Sequence, residues 1–141
     1  MTMRFMLAGA ALLLGSQMAM AQANLGELLE QGGKRLDKAE VQALLVGATL
    51  SGPTTTGGDV RLEVKADGSL SGNIRGGRSY GVMGTWKLED DGQFCTDLTS
   101  AGSRSMQIAS CNHYYRRGSD YFAVDAAATP DTLVRRREVS R

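Results

Sequence analysis

The spacing of polar and apolar residues along the chain changes period once, near Gly47. Before that point it is helical. Asn24 stands as an N-cap, Glu27 three residues on completes a capping box, and Gly32-Gly33 stops the helix after Gln31. Asp37 opens a second helix, with Glu40 at its third position, Leu36 and Val41 flanking the cap as a hydrophobic staple, and Gly47 at its end. Val41, Leu44 and Leu45 fall at i, i+3 and i+4, so one apolar stripe is available for packing.

After Gly47 the period is two. A first strand runs near Ala48 to Gly52. Val60, Leu62 and Val64 alternate with Arg61, Glu63 and Lys65, and Ala66-Asp67-Gly68-Ser69 turns the chain into Leu70, Gly72 and Ile74. Val82, Gly84, Trp86 and Leu88 share a face, Asp90-Asp91-Gly92 turns again, and Phe94, Thr96 and Leu98 follow. Met106 and Ile108 lead a long strand through Tyr114, Arg117-Gly118-Ser119-Asp120 reverses it into Tyr121 to Ala126, and a last strand spans Thr132 to Val139 after Pro130-Asp131. Short turns make sequence neighbours pair in space, and closure removes exposed edges. The predicted fold is mainly β: a small antiparallel up-and-down β-barrel of about eight strands, with one or two short N-terminal helices plugging or flanking one end. Ser51 to Asp59 (SGPTTTGGD) is the loosest stretch and is expected to be a mobile loop.

The first 21 residues read as an address. Arg4 supplies a positive start, Phe5 to Gly15 is an apolar run too short to span a bilayer, and Ala19-Met20-Ala21 is a small-x-small cleavage site. The division is therefore a signal peptide over 1–21, a helical lead-in over 22–35 and a single barrel domain over 36–141. Cleavage implies a periplasmic or secreted protein with no integral membrane segment left. Cys95 and Cys111 are the only cysteines, and in an oxidising compartment one intramolecular disulfide is the natural reading, with free thiols the alternative. If they oppose each other on paired strands, the hairpin between them centres on Ser103, within a polar, Gly-containing loop.

Composition narrows the function. Sixteen Lys and Arg balance fifteen Asp and Glu, which argues against nucleic acid as a partner, since that affinity rests on surplus positive charge. One His and two Cys leave little for a transition-metal site, and no cofactor motif is present. Gly76-Gly77-Arg78-Ser79-Tyr80-Gly81 runs into a strand rather than a helix and lacks a Gly-Lys-Ser/Thr ending, so it reads as a flexible connection exposing Arg78 and Tyr80 to a partner, not as a phosphate loop. Glu89-Asp90-Asp91 lacks the alternating oxygen ligands of a calcium loop and is explained as a turn. His113 could act as a base only with Asp97 and Ser110 or Ser105 beside it, and no nucleophile elbow marks a serine, so no catalytic residue is assigned. Arg135-Arg136-Arg137 splits between two faces of a strand; one arginine forced inward would need a carboxylate partner.

Gly84-Thr85-Trp86-Lys87-Leu88, an acidic Gly turn, Phe94-Cys95, Cys111 and Tyr114-Tyr115-Arg116-Arg117-Gly118 together resemble small exported Gram-negative bacterial proteins of uncharacterised function. The resemblance covers roughly residues 36 to 126 and implies a lipocalin-like or calycin-like barrel. In lipocalins proper the Gly-x-Trp lies on the first strand, whereas about three strands precede it here, so lipocalin ligand binding is not carried over. Gly77-Arg78-Ser79-Tyr80 is similar to the Ser-Gly-x-x-Tyr loop of periplasmic lysozyme inhibitors, with Gly76 in place of the serine; inhibitors of secreted metalloproteases are also small disulfide-bonded barrels. The expectation is a non-catalytic exported barrel that binds a partner protein or a small ligand in the cell envelope, through Arg78, Tyr80, Trp86 and Tyr115. The alternatives are a periplasmic inhibitor of lysozyme or a secreted protease, and a hydrolase using His113.

Overall fold

The structure is a computed structural model that describes residues 23–102 and 104–141; the expected leader and Ser103 lie outside them. Both predicted helices form where their caps place them. In α1 (Leu25–Glu30) the Glu27 amide donates to Asn24 Oδ1 at 2.9 Å and the Asn24 amide to Glu27 Oε2 at 3.3 Å, which completes the capping box. In α2 (Lys38–Leu45) the Glu40 amide donates to Asp37 Oδ1 at 2.8 Å. The helix ends just short of Gly47, whose positive φ of 81° turns the chain so that its amide meets Val64 O at 2.7 Å.

Between the helices lies a two-residue strand, β1 (Lys34–Arg35). Eight strands follow: β2 (Thr49–Pro53), β3 (Asp59–Val64), β4 (Ser69–Gly76), β5 (Arg78–Leu88), β6 (Phe94–Ser100), β7 (Gln107–Arg117), β8 (Asp120–Asp125) and β9 (Arg135–Ser140). Each pairs antiparallel with the next, and β9 pairs with β2 through Leu50 and Val139, closing an up-and-down barrel. β7 outruns β6, and β1 covers the overhang by pairing Lys34 with Arg116 and Arg35 with Tyr115. An otherwise open strand edge is thereby satisfied.

The alternation read from the sequence places the core. Leu50, Leu62, Val64, Leu70, Val82 and Leu98 point inward and meet Val41 and Leu45 of α2, which seals one end. Phe94, 2% exposed, stacks on Trp86 with ring centroids 5.7 Å apart and meets Tyr114 edge-on at 6.1 Å. Arg141 extends the seal by donating to the terminal carbonyls of α2, Val46 O at 3.2 Å among them. Helix α1 lies outside the barrel, where Leu25 and Leu28 pack on Tyr115, Phe122, Val124 and Val134.

Two stretches differ from expectation. The last strand begins at Arg135 rather than Thr132, because the Thr132 carbonyl and Val134 amide are taken by Leu25 and Ala23 of the lead-in. The stretch from Ser51 is more regular than a loop: β2 continues to Pro53, and a five-residue turn carries the Gly58 amide donating to Thr54 Oγ1 at 2.9 Å and the Thr54 amide donating to Gly58 O at 2.8 Å.

Candidate ligand-binding site

The two ends of the barrel differ. One is filled by α2. Around the other, the inward-facing Val60, Ile74, Tyr80 and Ile108 remain only half-buried although they pack on the core. This end carries the β2–β3 turn, the β4–β5 turn, the β6–β7 loop and the β8–β9 connection, and α1 is tied to the last of these by the Leu25 amide on Thr132 O and the Gly26 amide on Pro130 O, both at 2.9 Å.

On the wall beside this mouth, β9 contributes the basic run. Arg136 faces outward, its Nη2 2.9 Å from Asp120 Oδ1. Arg135 and Arg137 face inward, paired in register with Ala123 and Tyr121. Arg137 is 7% exposed, and its Nη1 donates to Pro53 O at 2.8 Å and to Arg136 O at 2.9 Å. Gly52 lets β2 approach β9 closely: a Cβ there would lie 2.3 Å from Arg136 O and 2.9 Å from Arg137 Nη1. Arg135 donates to the side-chain oxygen of buried Asn112.

The carboxylate expected beside an inward arginine is not there. Among the described residues no acidic oxygen lies within 4.0 Å of Arg135 or Arg137. Asp125 shares the inner face with Asn112 by register, but its Oδ1 accepts the Ala127 amide. Burial pulls Arg137 below the usual guanidinium range, with the Tyr114 hydroxyl opposing and Arg135 adding to the fall; an arginine still keeps its charge at neutral pH. Burial likewise raises the phenol of Tyr114, while Arg137 and Arg135 favour its ionised form. Among the described residues, the positive charge of the interior is therefore answered by neutral acceptors. Effective desolvation costs several kcal/mol per buried ion, and neutral acceptors offset only part of that.

The residues singled out from the sequence do not converge. Tyr80 faces the mouth, while Arg78 is exposed beside the β4–β5 turn. Trp86 lies inside near the sealed end, its Nε1 donating to Lys65 O at 2.8 Å. Tyr115, 9% exposed, faces outward beneath α1. Tyr80 alone is grouped with the mouth; Arg135, Arg137, Asn112 and Tyr114 were not singled out as a binding set. The signal for two of them was present, since Arg135 and Arg137 share a face by period two, but which face required the pairing with β8 and β2.

His113 sits on the outer face of β7, with Nε2 4.0 Å from Asp91 and Nδ1 buried without a hydrogen-bond partner. Burial lowers its pKa, Arg35 adds to the fall and Asp91 opposes it. Asp97 instead accepts from Gln107, and Ser110 faces the interior with Thr96, so the imagined triad is not assembled. Cys95 and Cys111 do form the disulfide, directly opposite across β6 and β7 with Cα atoms 4.0 Å apart. No cluster of three metal-ligating side chains occurs among the described residues, and none of their helices is long and apolar enough to cross a membrane. Two surface depressions of about 650 and 670 Å³ lie largely over outward-facing residues, one around Arg61, Arg75 and Glu138 and the other around Ser71, Met83 and Thr99. No known protein family, curated protein or solved structure matches the chain.

Proposed function

We propose that this is a non-catalytic, exported binding protein that takes a small molecule into the unsealed end of its barrel. The observation that carries the reading is the asymmetry of the interior. One end is closed by α2, while at the other Val60, Ile74, Tyr80 and Ile108 face inward and are only partly buried. Eight-stranded barrels have interiors of the size that side chains just fill or one small ligand occupies. Apolar side chains converging with a few polar groups are the usual make-up of a ligand pocket. The disulfide and the leader pattern support export. Nothing comparable supports catalysis, because His113 has Asp91 beside it but no nucleophile.

A neutral apolar dye, N-phenyl-1-naphthylamine, tests the reading. Its fluorescence should rise on saturable one-to-one binding, with energy transfer from Trp86, the sole tryptophan. Val60→Phe and Ile74→Phe, which fill the mouth, should each weaken binding at least tenfold while the far-ultraviolet circular dichroism stays unchanged. Non-saturable binding, or equal affinity in the filled variants, refutes a ligand site at this end.

A further inference from the structure

We propose that the outer wall of the barrel carries a second site, for a short zwitterionic peptide, with the peptide carboxylate on Arg61 and Arg75 and its ammonium on Glu138. The site is separate from the mouth and stands whether or not the mouth holds a ligand. It is the depression of about 650 Å³ over β9, β2, β3 and β4, a volume within the range of small-molecule pockets. Register explains why the surface is hollow there. Ser51 lies directly opposite both Glu138 and Arg61, Arg61 lies opposite Asn73, and Arg75 lies opposite Asp59 and Ser79. Short Ser51, Asn73 and Ser79 make the floor, and long Arg61, Arg75 and Glu138 stand around it.

The charges of this depression are unspent. Elsewhere on the surface Lys38 pairs with Asp90, Lys87 with Glu89 and Arg136 with Asp120. Arg61, Arg75, Asp59 and Glu138 are all exposed, and among the described residues none of them has an ion-pair partner within 4.0 Å. Asp59 and Arg75 remain unpaired although they are directly opposite across β3 and β4, a placement in which opposite charges attract. Donors and acceptors of both signs therefore converge on one concave surface and are free for a ligand.

The distribution of the charges selects that ligand. Arg61 and Arg75 are diagonal neighbours on β3 and β4, about 7–8 Å apart at the backbone, which lets two long side chains meet on one carboxylate. Asp59 lies opposite Arg75 and two residues from Arg61, so it offsets one of the two positive charges and leaves a single one. A monoanion suits that balance, and a phosphate dianion does not. Glu138 stands on β9 with β2 between it and Arg61, so about 10 Å separates the two backbones. Arg136, the cation two residues before Glu138 on the same face, is held by Asp120. An extended tripeptide spans about 10 Å, which matches the separation of the two centres. The C-terminal tail of a folded protein offers the carboxylate without the ammonium; a free short peptide supplies both.

Calorimetric titration of the folded protein with trialanine, its N-acetyl form and its C-terminal amide tests the assignment. Trialanine should bind one-to-one with a dissociation constant below about 1 mM, and blocking either end should weaken it about tenfold or more. Arg61→Gln should weaken trialanine about tenfold and leave the amide within about twofold, because the amide has no carboxylate to lose. Glu138→Gln should do the converse, weakening trialanine about tenfold and leaving the N-acetyl form within about twofold. Saturating N-phenyl-1-naphthylamine should leave the trialanine affinity unchanged. The proposal is refuted if trialanine shows no binding at about 10 mM, or if each substitution weakens all three ligands alike. An N-acetyl form that binds as well as trialanine would make this a receptor for carboxylate tails and overturn the zwitterion assignment. An amide that binds as well would remove the carboxylate from the account. Competition with the dye would put the peptide in the mouth and end the second site. If Arg61→Gln does not fold, Arg75→Gln carries the same comparison. Dye binding alone reports on the mouth, so failure of the peptide site leaves that reading standing.

Discussion

Replacing both disulfide cysteines, Cys95→Ala with Cys111→Ala, should destabilise the protein by about 3 kcal/mol while leaving the native barrel intact. The magnitude follows from chain entropy. The bridge closes a loop with a sequence separation of 16. Cross-linking a loop of that length removes roughly 10 cal/mol/K from the unfolded ensemble, or about 3 kcal/mol near room temperature. The native state has little reason to change. Thr96 and Ser110 are hydrogen-bonded at 3.2 Å and Gln107 and Asp97 at 2.9 Å beside the bridge, and the backbone ladder of β6 and β7 runs through it. Both cysteines are half-buried on the outer face, so alanine opens no cavity in the core. Urea titrations followed by Trp86 fluorescence should place the midpoint about 1.5 M lower in the variant for an m-value near 2 kcal/mol/M. The m-value itself should rise, because an unfolded chain without the cross-link exposes more surface. A loss below about 1 kcal/mol with an unchanged m-value would mean that the unfolded chain already holds this hairpin closed. A loss of amide protection confined to β6 and β7 in the native variant would place the effect in the folded state. Either result refutes the entropic account.

Two further outcomes are expected. Gly84→Ala sets a Cβ 1.8 Å from the Asp97 carbonyl oxygen, whereas at Gly81 on the same strand the nearest atom is 3.9 Å away. The first should cost about 3 kcal/mol in urea unfolding and the second should be neutral or slightly stabilising; similar costs would show that β5 does not approach β6 as closely as described. His113 has a pKa lowered by burial, so the unfolded chain takes up its proton first, and stability should fall as pH drops below about 6.5 toward the lower native value. Asp67, Asp90 and Asp91 are also lowered, but their contribution is lost only at pH values near and below 3.8. The stability difference between pH 7.5 and 5.0 should therefore shrink in His113→Phe, and an unchanged difference would remove His113 as its source.

The barrel was legible because its turns carry their own chemistry. Asp67-Gly68 and Asp91-Gly92 place glycine where φ is positive, at 90° and 86°, and the aspartate side chains accept the Ser69 and Gln93 amides that follow. Those turns set the register of β3 with β4 and of β5 with β6, and the alternation then assigns the core. The parts that were not legible depend on contacts distant in sequence. β1 is two residues long and has no pattern of its own; it exists because β7 leaves an edge beyond Asn112. Thr132 to Val134 alternate well enough for a strand, but their backbone groups are claimed by residues about 110 positions earlier. No local rule can anticipate that competition.

The arginine run shows the same limit where it bears on function. Period two separates Arg136 from Arg135 and Arg137, but it is silent on which face is the interior until β9 is seen between β8 and β2. A run of three charges on an edge strand would require no further account, because charge is how edges are kept from pairing. β9 is not an edge. Once it closes the barrel, two charges must enter, and sheet formation alone gives no reason to retain arginine there, since a long apolar side chain would fill the same space without desolvating a cation. Gly52 lies against this stretch of β9, where a Cβ would come within 2.3 Å of Arg136 O and 2.9 Å of Arg137 Nη1. Local rules and global stability disagree at this place in the molecule, and such disagreements concentrate where proteins bind or react.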